Sequence, residues 1–333
     1  MKVSILDRFE AVGAAAWSQL VVGSRLPTPF ASYVWHREWV RAFAPAARLE
    51  IRKVEDDDGQ LVAVLPLVET APGTLHLVGG VDVSDYLDLI VRRGREEEVW
   101  AALLQSRAGS PAVWELHSVP AESPTVQALP KLAEAAGMSG TVAVEERCPV
   151  LTLPRTWEAY LATLSGRHRH ELTRKIRRFE REAPEGRVFC ASRSAELDAR
   201  LGDFLDLHRR SRVGKARFMD ARMEEFFRRV TGLLAERDSV RMWFLDLPQG
   251  PVAAFLCLEW DGVVGLYNSG FHPTYAALAP GLVLLAHVIR DAIARGKRQF
   301  DFLRGEERYK YEFGPVPEDV CLVTVQPAGE TPA

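Results

Sequence analysis

Residues 263–315 read VVGLYNSGFHPTYAALAPGLVLLAHVIRDAIARGKRQFDFLRGEERYKYEFGP. The first seven positions of this stretch carry no charge and predict a buried strand. Pro280 and Gly281 then precede an apolar run over 282–295, whose spacing of three and four residues predicts a helix. A short apolar strand over 299–303 follows. This order of strand, helix and strand predicts an α/β fold for the C-terminal half of the chain.

The start of this helix has the features of an anion-binding site. The first N–H groups of a helix have no partner inside the helix, and the positive end of the helix dipole lies beside them. Gly281 has no side chain that would obstruct a phosphate group. The alternative is that Pro280 simply begins the helix, because proline is common at the first helical position. The residues alone leave both interpretations open.

The charged segment that follows the short strand offers acid–base and cationic groups. Asp301 stands at the end of the strand, where a carboxylate would take a proton from an ammonium nucleophile if burial keeps its pKa suitable. Lys310 would stabilise a developing oxyanion or bind a phosphate. The alternative is a salt-bridged loop in solvent, because that is the commoner arrangement of such a charged run.

Two other positions carry groups that suit a pocket. His208 stands on a predicted helix and fits either a pocket base or a packed histidine. Asp85 and Tyr86 follow a turn at Gly79 and Gly80, and they would orient an acceptor in a cleft between domains. The alternative for this pair is a capping aspartate beside a core tyrosine.

The chain repeats one order of elements, a helix followed by two strands joined by a turn. This repetition predicts two structurally related domains, 1–149 and 150–333, with a final strand over 320–325 that packs on either sheet. The repeated elements are helix 35–43 with strands 49–55 and 60–69, and helix 221–237 with strands 240–247 and 251–260.

Composition excludes several classes of protein. The chain has 333 residues, of which 47% are hydrophobic and 26% charged, and its formal net charge is −3. These values are typical of a folded globular protein, and the lack of a basic surplus argues against a duplex-DNA binder. The uncharged run 263–289 is a poor membrane span because asparagine, proline and glycine interrupt it. The sequence therefore predicts a protein without a membrane span or a DNA partner.

Cysteine and histidine spacing predicts neither a disulfide framework nor a metal site. The four cysteines are far apart and form no C-x-x-C pair, which favours a reducing compartment and hence the cytoplasm. Asp82, Asp85 and Asp88 have no histidine or cysteine near them in sequence, so they do not indicate a metal site.

A basic helix is predicted over 167–182, with seven basic residues against three acidic ones. Its cations would contact phosphates of tRNA or of a nucleotide-linked sugar. The alternative is a solvated helix face, because exposed charges are common without a ligand. Aromatic residues do not alternate with the cations, which argues against single-strand recognition by base stacking.

Several of these motifs together resemble a known family. Pro280-Gly281 with its helix, the run Phe-Asp-Phe-Leu-Arg-Gly at 300–305, and Tyr309-Lys310 resemble the C-terminal signature of CelD-type acyltransferases. That family belongs to the GNAT superfamily and is named for a cellulose-biosynthesis member. The resemblance extends to 83–86, 207–218 and 250–254. The pattern is similar, more loosely, to Fem-type aminoacyl transferases, which are tandem GNAT-like folds that use charged tRNA.

The resemblance implies a fold and a set of site residues. It implies tandem GNAT-like domains, each a mixed, mostly antiparallel sheet flanked by helices, with the C-terminal domain catalytic. The usual GNAT phosphate loop, Gln/Arg-x-x-Gly-x-Gly/Ala, is absent here. Lys310 matches the lysine of the Fem-type Phe/Tyr-Lys-x-x-Phe-Gly run, which assists transfer. The implied donor-binding residues are Leu266, Tyr267, Asn268, Ser269, Pro280, Gly281 and Leu282, and the implied acceptor-binding residues are Asp85, Tyr86 and Arg304.

The function that the resemblance implies is N-acyltransfer. Acetyl-CoA or another acyl-CoA would be the donor, and the acceptor would be an amine, for which the resemblance suggests an amino sugar or a polysaccharide precursor. The catalytic candidates are Asp301, Lys310 and His208, and no metal is expected. One alternative is a Fem-type transferase that uses aminoacyl-tRNA, and another is a non-catalytic GNAT-like binding module. The acceptor, the acyl chain length and the oligomeric state stay open.

Overall fold

The computed structural model of the chain describes residues 1–329. Its contacts divide the chain into two compact units, one formed by Met1–Arg147 with Glu318–Ala333 and the other by Cys148–Pro317. The predicted relation of domains 1–149 and 150–333 as two GNAT-like copies stays a prediction, and positions 330–333 lie outside the described residues. No helix within residues 1–329 has the length and apolar character needed to cross a membrane.

The strands, in chain order, are β1 (Lys2–Leu6), β2 (Leu49–Glu55), β3 (Leu61–Ala71), β4 (Thr74–Leu77), β5 (Ile90–Val91), β6 (Val113–Pro120), β7 (Met138–Thr152), β8 (Arg187–Ala191), β9 (Val240–Leu247), β10 (Gly250–Trp260), β11 (Val263–Phe271), β12 (Gln299–Asp301) and β13 (Val316–Pro327). The helices are α1 (Ala14–Val22), α2 (Tyr33–Phe43), α3 (Glu96–Ser106), α4 (Pro124–Gln127), α5 (Leu129–Ala135), α6 (Trp157–Thr163), α7 (Gly166–Glu182), α8 (Ser194–Ser211), α9 (Val213–Phe218), α10 (Ala221–Ala235), α11 (Pro280–Ala294) and α12 (Arg308–Tyr311). Short 3-10 turns span Phe9–Ala11, Pro29–Ala31 and Pro273–Leu278.

The first unit is a mixed sheet with helices packed on it. Its strands follow the order β1-β2-β3-β4-β6-β13, with β5 on β3. The neighbours are antiparallel except β4 and β6, which run parallel. The final strand β13 thus pairs with β6 of this unit. The core around the buried side chains of Trp100 and Trp114 is aliphatic and aromatic.

The second unit is also a mixed, mostly antiparallel sheet. Its order is β7-β12-β11-β10-β9-β8, and only the pair of β11 with β12 is parallel. Helix α11 buries the apolar stripe that its sequence spacing predicts, including Ile289, against this sheet. Both units therefore have the predicted α/β architecture of sheets flanked by helices.

Strand β11 has two irregularities in its pairing with its neighbours. The pairing of β11 with β10 shifts between Leu256 and Cys257, which leaves Tyr267 as an extra residue in β11. The pairing with β12 ends at Gly265, although β11 continues to Phe271. The short strand β12 ends earlier than the predicted 299–303, because Leu303 has a left-handed φ of 54°. The end of β11 therefore extends past its ladder with β12.

Candidate active site

An open cavity of about 440 Å³ lies in the second unit at the start of α11 and the end of β11. Its lining combines backbone and small side chains of these elements with cations from α7 and α9. The sequence-predicted residues that line it are Ser269, Pro280, Gly281 and Leu282. The lining residues that sequence analysis did not assign to the site include Ser211, Arg212, Lys215, Glu307 and Tyr309.

The other three predicted donor-binding residues have side chains that pack away from the lining. Leu266 belongs to the buried core of the second unit. The ring of Tyr267 stacks on Phe227, with centroids 5.7 Å apart. Asn268 accepts a hydrogen bond from His208. Tyr267 and Asn268 thus contact α10 and α8, whereas Leu266 packs in the apolar core.

The start of α11 opens into the cavity. Ala279 precedes the helix in the left-handed region, with φ 50° and ψ 47°, and Pro280 is the first helical residue. No side chain caps this helix terminus. A Cβ atom added at Gly281 would have no heavy atom within 4 Å. The first turn of α11 therefore presents its positive dipole end to open space.

Three cations of the basic helix α7 line the same cavity, namely Arg174, Lys175 and Arg178. Each also has a carboxylate partner, because Arg174 contacts Glu171 at 2.8 Å, Lys175 contacts Glu312 at 3.6 Å, and Arg178 contacts Glu182 at 3.0 Å. All three cations keep some exposure. One face of α7 thus adds positive charge beside the start of α11.

Lys215 of α9 reaches the end of β11. Its Nζ donates hydrogen bonds to the backbone oxygen of Ser269 and, at 3.1 Å, to the Ser269 hydroxyl. Burial, together with the smaller effect of the positive charge of Arg212, lowers the pKa of Lys215 from 10.5 to about 8. No sequence motif marked this lysine, because it reaches Ser269 only when α9 packs beside β11.

Lys310 is a buried cation that holds a loop together. Its side chain is only 4% exposed. The Nζ atom donates to the backbone oxygens of Arg304 and Gly305, each at 2.9 Å, and pairs with Glu307 at 2.9 Å. Burial raises the pKa of Glu307, but the neighbouring Lys310 ammonium outweighs this effect and lowers the pKa overall. Lys310 is not among the residues that line the cavity.

Asp301 and His208 are also buried and lie outside the cavity lining. A carboxylate oxygen of Asp301 accepts the backbone N–H of Leu303 at 2.7 Å. Nε2 of His208 donates to the side-chain oxygen of Asn268 at 2.9 Å. Burial lowers the pKa of His208 to about 4, and the Lys215 charge acts in the same direction. His208 is therefore neutral near pH 7.

Asp85 and Tyr86 belong to the first unit. Both are buried, at 8% and 6% exposure. The ring of Tyr86 packs edge-on against Phe30, with centroids 6.5 Å apart. Tyr86 and Asp88 line a small cavity of about 30 Å³. Their predicted contact with an acceptor stays a prediction.

Residues 166–311 match the family model described as an acetyltransferase (GNAT) domain. The second unit carries a GNAT acetyltransferase domain. This match identifies the protein as an acyltransferase and confirms the GNAT part of the predicted resemblance. The specific likeness to CelD-type enzymes stays a prediction. No curated protein matches the chain.

Solved structures with the same fold cover nearly the whole chain. FemX matches with a TM-score of 0.64 at 10% identity, over 97% of this chain and 97% of its own. The C-terminal domain of a putative lysylphosphatidylglycerol synthetase from Agrobacterium fabrum matches with a TM-score of 0.61 at 11% identity, over 96% and 92%. L-PGS from Bacillus licheniformis matches with a TM-score of 0.59 at 11% identity, over 93% and 90%. These structures share the fold of this chain over 93% or more of its length. The predicted fold class is thus confirmed.

Proposed function

We propose that this protein transfers an acyl group from acyl-CoA, with acetyl-CoA as the simplest donor, to the amine of a small acceptor. The observation that carries the proposal is the cavity that joins the open start of α11 to the end of β11. The CelD-type resemblance favours an amino sugar or a polysaccharide precursor as the acceptor.

The donor phosphates would bind at the start of α11. The positive end of a helix attracts anions, and backbone N–H groups there need acceptors. Arg174, Lys175 and Arg178 add cations on the same cavity wall. A guanidinium forms two parallel hydrogen bonds with a phosphate, which strengthens the contact. Gly281 leaves room for the phosphate to approach the backbone. These features support a pyrophosphate-bearing donor.

The thioester would lie along the end of β11. Ser269, Gly270 and Phe271 line the cavity beyond the last residue that pairs with β12. Lys215 is hydrogen-bonded to Ser269, so its ammonium is positioned beside this stretch. When the amine attacks the thioester carbon, the carbonyl oxygen becomes negative, and a nearby cation stabilises it. We assign this role to Lys215.

The attacking amine must also lose a proton. The amine nitrogen forms the new bond to the carbonyl carbon, the carbon–sulfur bond breaks, and the CoA thiolate leaves and takes up a proton. Glu307 is a carboxylate on the cavity wall, and its lowered pKa keeps it ionised at neutral pH. Asp301 and Lys310 then serve as positioning residues, because their polar atoms bond the loop that carries Glu307. His208 is not assigned this role, because it lies outside the cavity lining and is hydrogen-bonded to Asn268.

A second candidate donor is aminoacyl-tRNA, as in Fem-type enzymes. It is supported by the fold shared with FemX and by the basic surface of α7. A module that binds a ligand without turnover is the third candidate. These three functions differ in what they bind and in whether they release product.

The first experiment is a thermal titration of the full chain with acetyl-CoA and with CoA. A ligand that binds only the folded state raises the melting temperature in a saturable way. We expect such a rise, followed by release of free thiol when amine acceptors are screened. No rise with either ligand would reject the CoA proposal. In that case, salt-sensitive binding of tRNA would support the Fem-type alternative.

Variants of Glu307 and Asp301 distinguish the proposed base from a residue that only positions its loop. Glu307→Gln should lower kcat strongly and leave donor affinity nearly unchanged. Glu306→Gln is the matched control, because Glu306 is the preceding residue and is absent from the cavity lining. Equal turnover in both variants would remove Glu307 from the mechanism. Asp301→Asn should lower kcat less than Glu307→Gln if it acts only through the loop.

A further inference from the structure

Two histidines and a glutamate meet on the sheet of the first unit. His76 belongs to β4, and Glu115 and His117 belong to β6. The two strands run parallel, and His76 lies directly opposite Glu115 in their register. Residues two apart on a strand share a face, so His117 stands beside Glu115. The fold therefore brings together three side chains that are separated in sequence.

The potential ligand atoms of the three side chains converge. Nε2 of His76 lies 3.5 Å from Oε2 of Glu115, and Nε2 of His117 lies 3.9 Å from the same oxygen. One ligand atom from each of the three residues lies within 4.8 Å of the others. Zinc bonds of about 2.0–2.1 Å in a tetrahedral site bring ligand atoms to roughly 3.3 Å of each other. The three groups thus need only small side-chain movements to share one ion.

The two imidazole rings are near neighbours with nearly parallel planes, so one ring must rotate before both Nε2 lone pairs point at one ion. Their centroids are 5.4 Å apart, with an angle of 18° between the planes. Two imidazoles that bind one ion through Nε2 at tetrahedral angles have centroids about 5 Å apart. The side chains of His76, Glu115 and His117 are 22%, 36% and 20% exposed, so an ion can enter from solvent.

Glu145 orients the ring of His117 through a hydrogen bond to Nδ1. Nδ1 of His117 donates to a carboxylate oxygen of Glu145 at 2.5 Å. The other carboxylate oxygen of Glu145 accepts the backbone N–H of Ser118 at 2.9 Å. A proton on Nδ1 leaves a lone pair on Nε2, the atom that faces Glu115. Histidine ligands of metals are characteristically held by a carboxylate in this way.

We propose that His76, Glu115 and His117 bind a zinc ion, with water as the fourth ligand and Glu145 as a positioning residue. Imidazole nitrogen with one carboxylate suits zinc, whereas magnesium and calcium prefer oxygen ligands. The ion would connect β4 to β6 and, through Glu145, to the part of β7 before Cys148, which belongs to the first unit. It would therefore stabilise the first unit, a property independent of the proposed acyl transfer.

The test uses the full chain without an affinity tag, stripped of metal with a chelator. Zn²⁺ is titrated by calorimetry, and Co²⁺ is titrated as a spectroscopic probe whose visible absorption reports tetrahedral coordination. We expect one ion per chain and a rise in melting temperature with Zn²⁺ but not with Mg²⁺. His76→Asn and Glu115→Gln should abolish the Co²⁺ spectrum. Glu145→Gln should weaken Zn²⁺ binding by about 10- to 100-fold, since it retains all three ligands.

His170→Asn is the matched control, because His170 is an exposed histidine on α7. Its metal binding should equal that of the parent protein. The melting temperature of each metal-free variant shows whether it folds, and His117→Gln replaces His76→Asn if the latter does not. Absence of saturable Co²⁺ binding, or equal affinity in the ligand variants and the parent, would overturn the proposal. Acetyl-CoA titration of the metal-free protein tests the acyltransferase proposal separately.

Discussion

His208 in α8 donates a hydrogen bond of 2.9 Å to the side-chain oxygen of Asn268 in β11. The two elements also approach closely along their backbones, because a Cβ atom at Gly270 would lie 2.5 Å from the backbone nitrogen of His208. The hydroxyl of Ser211 accepts the N–H of Phe271 at 2.9 Å. Helix α8 is thus attached to the end of β11 that lines the cavity.

Gly270→Ala should destabilise the protein. The new methyl group would meet backbone atoms of α8, which cannot rotate away, and such overpacking costs about 1–3 kcal/mol. Urea denaturation measures the free energy of unfolding. Gly202→Ala in α8 is the control, since nothing lies within 4 Å of its added Cβ, and it should not destabilise. Equal stability of the two variants would contradict the close approach.

Gly281→Val should weaken acetyl-CoA binding without loss of stability. A Cβ atom at Gly281 meets no protein atom within 4 Å, so any effect must come from the ligand that it obstructs. We expect at least a tenfold rise in Kd, which corresponds to about 1.4 kcal/mol. Calorimetric titration measures this, with Gly202→Val as the matched helical glycine variant. Unchanged affinity would exclude the start of α11 from the donor site.

Arg178→Gln should weaken donor binding more than Arg181→Gln. Both arginines pair with Glu182 on α7, but only Arg178 lines the cavity. Loss of one phosphate contact should raise the Kd of CoA several-fold and reduce its dependence on salt concentration. The measurement is a CoA titration at low and high salt. Identical curves for the two variants would argue against a role of α7 in the donor site.

Activity should fall as the pH rises through about 8. The pKa of Lys215 is about 8, so its ammonium is charged at neutral pH and loses its proton above that value. If this charge stabilises the oxyanion, kcat follows the protonated fraction. Lys215→Arg should keep activity up to higher pH, because arginine stays charged. The pH profile of kcat checks this, and an unchanged alkaline limb in Lys215→Arg would contradict it.

Glu259 should contribute stability that acid removes. Its buried carboxylate contacts Arg295 at 2.7 Å, Lys297 at 2.6 Å and Arg241 at 3.0 Å. Burial raises the pKa of Glu259, but these cations outweigh burial and lower it below the ordinary value of 4.5. The folded pKa is therefore below the unfolded one, so this stability is present above about pH 4.5 and is lost as the pH falls through the folded pKa.

Glu259→Gln should lower the free energy of unfolding at pH 7 by about 1.5–3 kcal/mol, because it removes the charge of a buried carboxylate that is hydrogen-bonded to Arg295, Lys297 and Arg241. Between pH 7 and the acid range, the free energy of unfolding should also fall less in the variant than in the parent protein. Urea denaturation at pH 7 and at pH 3.5–4.5 compares the variant with the parent. Glu182→Gln, on an exposed ion pair, should resemble the parent at both pH values. Equal stability of Glu259→Gln and Glu182→Gln at pH 7 would reject this role.

Much of the secondary structure follows from local patterns. The predicted strands 49–55 and 240–247 coincide with β2 and β9, and the predicted basic helix differs from α7 by one residue. Strand β7 is buried only near its end, over 148–151. The preceding part of β7 is mostly exposed and polar, so it lacks the buried alternation that marks a strand.

The local sequence also predicted a helix start at Pro280 and Gly281 and a carboxylate, Asp301, at the end of a strand. Pro280 and Gly281 do start a helix, and Asp301 does end β12. These features depend on neighbours within a few residues, as do helix starts and strand ends in general. The same short motifs carried the resemblance to GNAT acyltransferases.

Only the tertiary structure decided which side chains share a site. Lys215 and Glu307 reach the cavity, and Lys310 is buried among carbonyl oxygens, because α9 and the loop before α12 pack beside β11. His76 and Glu115 meet through the register of two parallel strands. Spacing along the chain reports periodicity and local conformation, whereas burial and the convergence of distant groups arise only when the elements pack together.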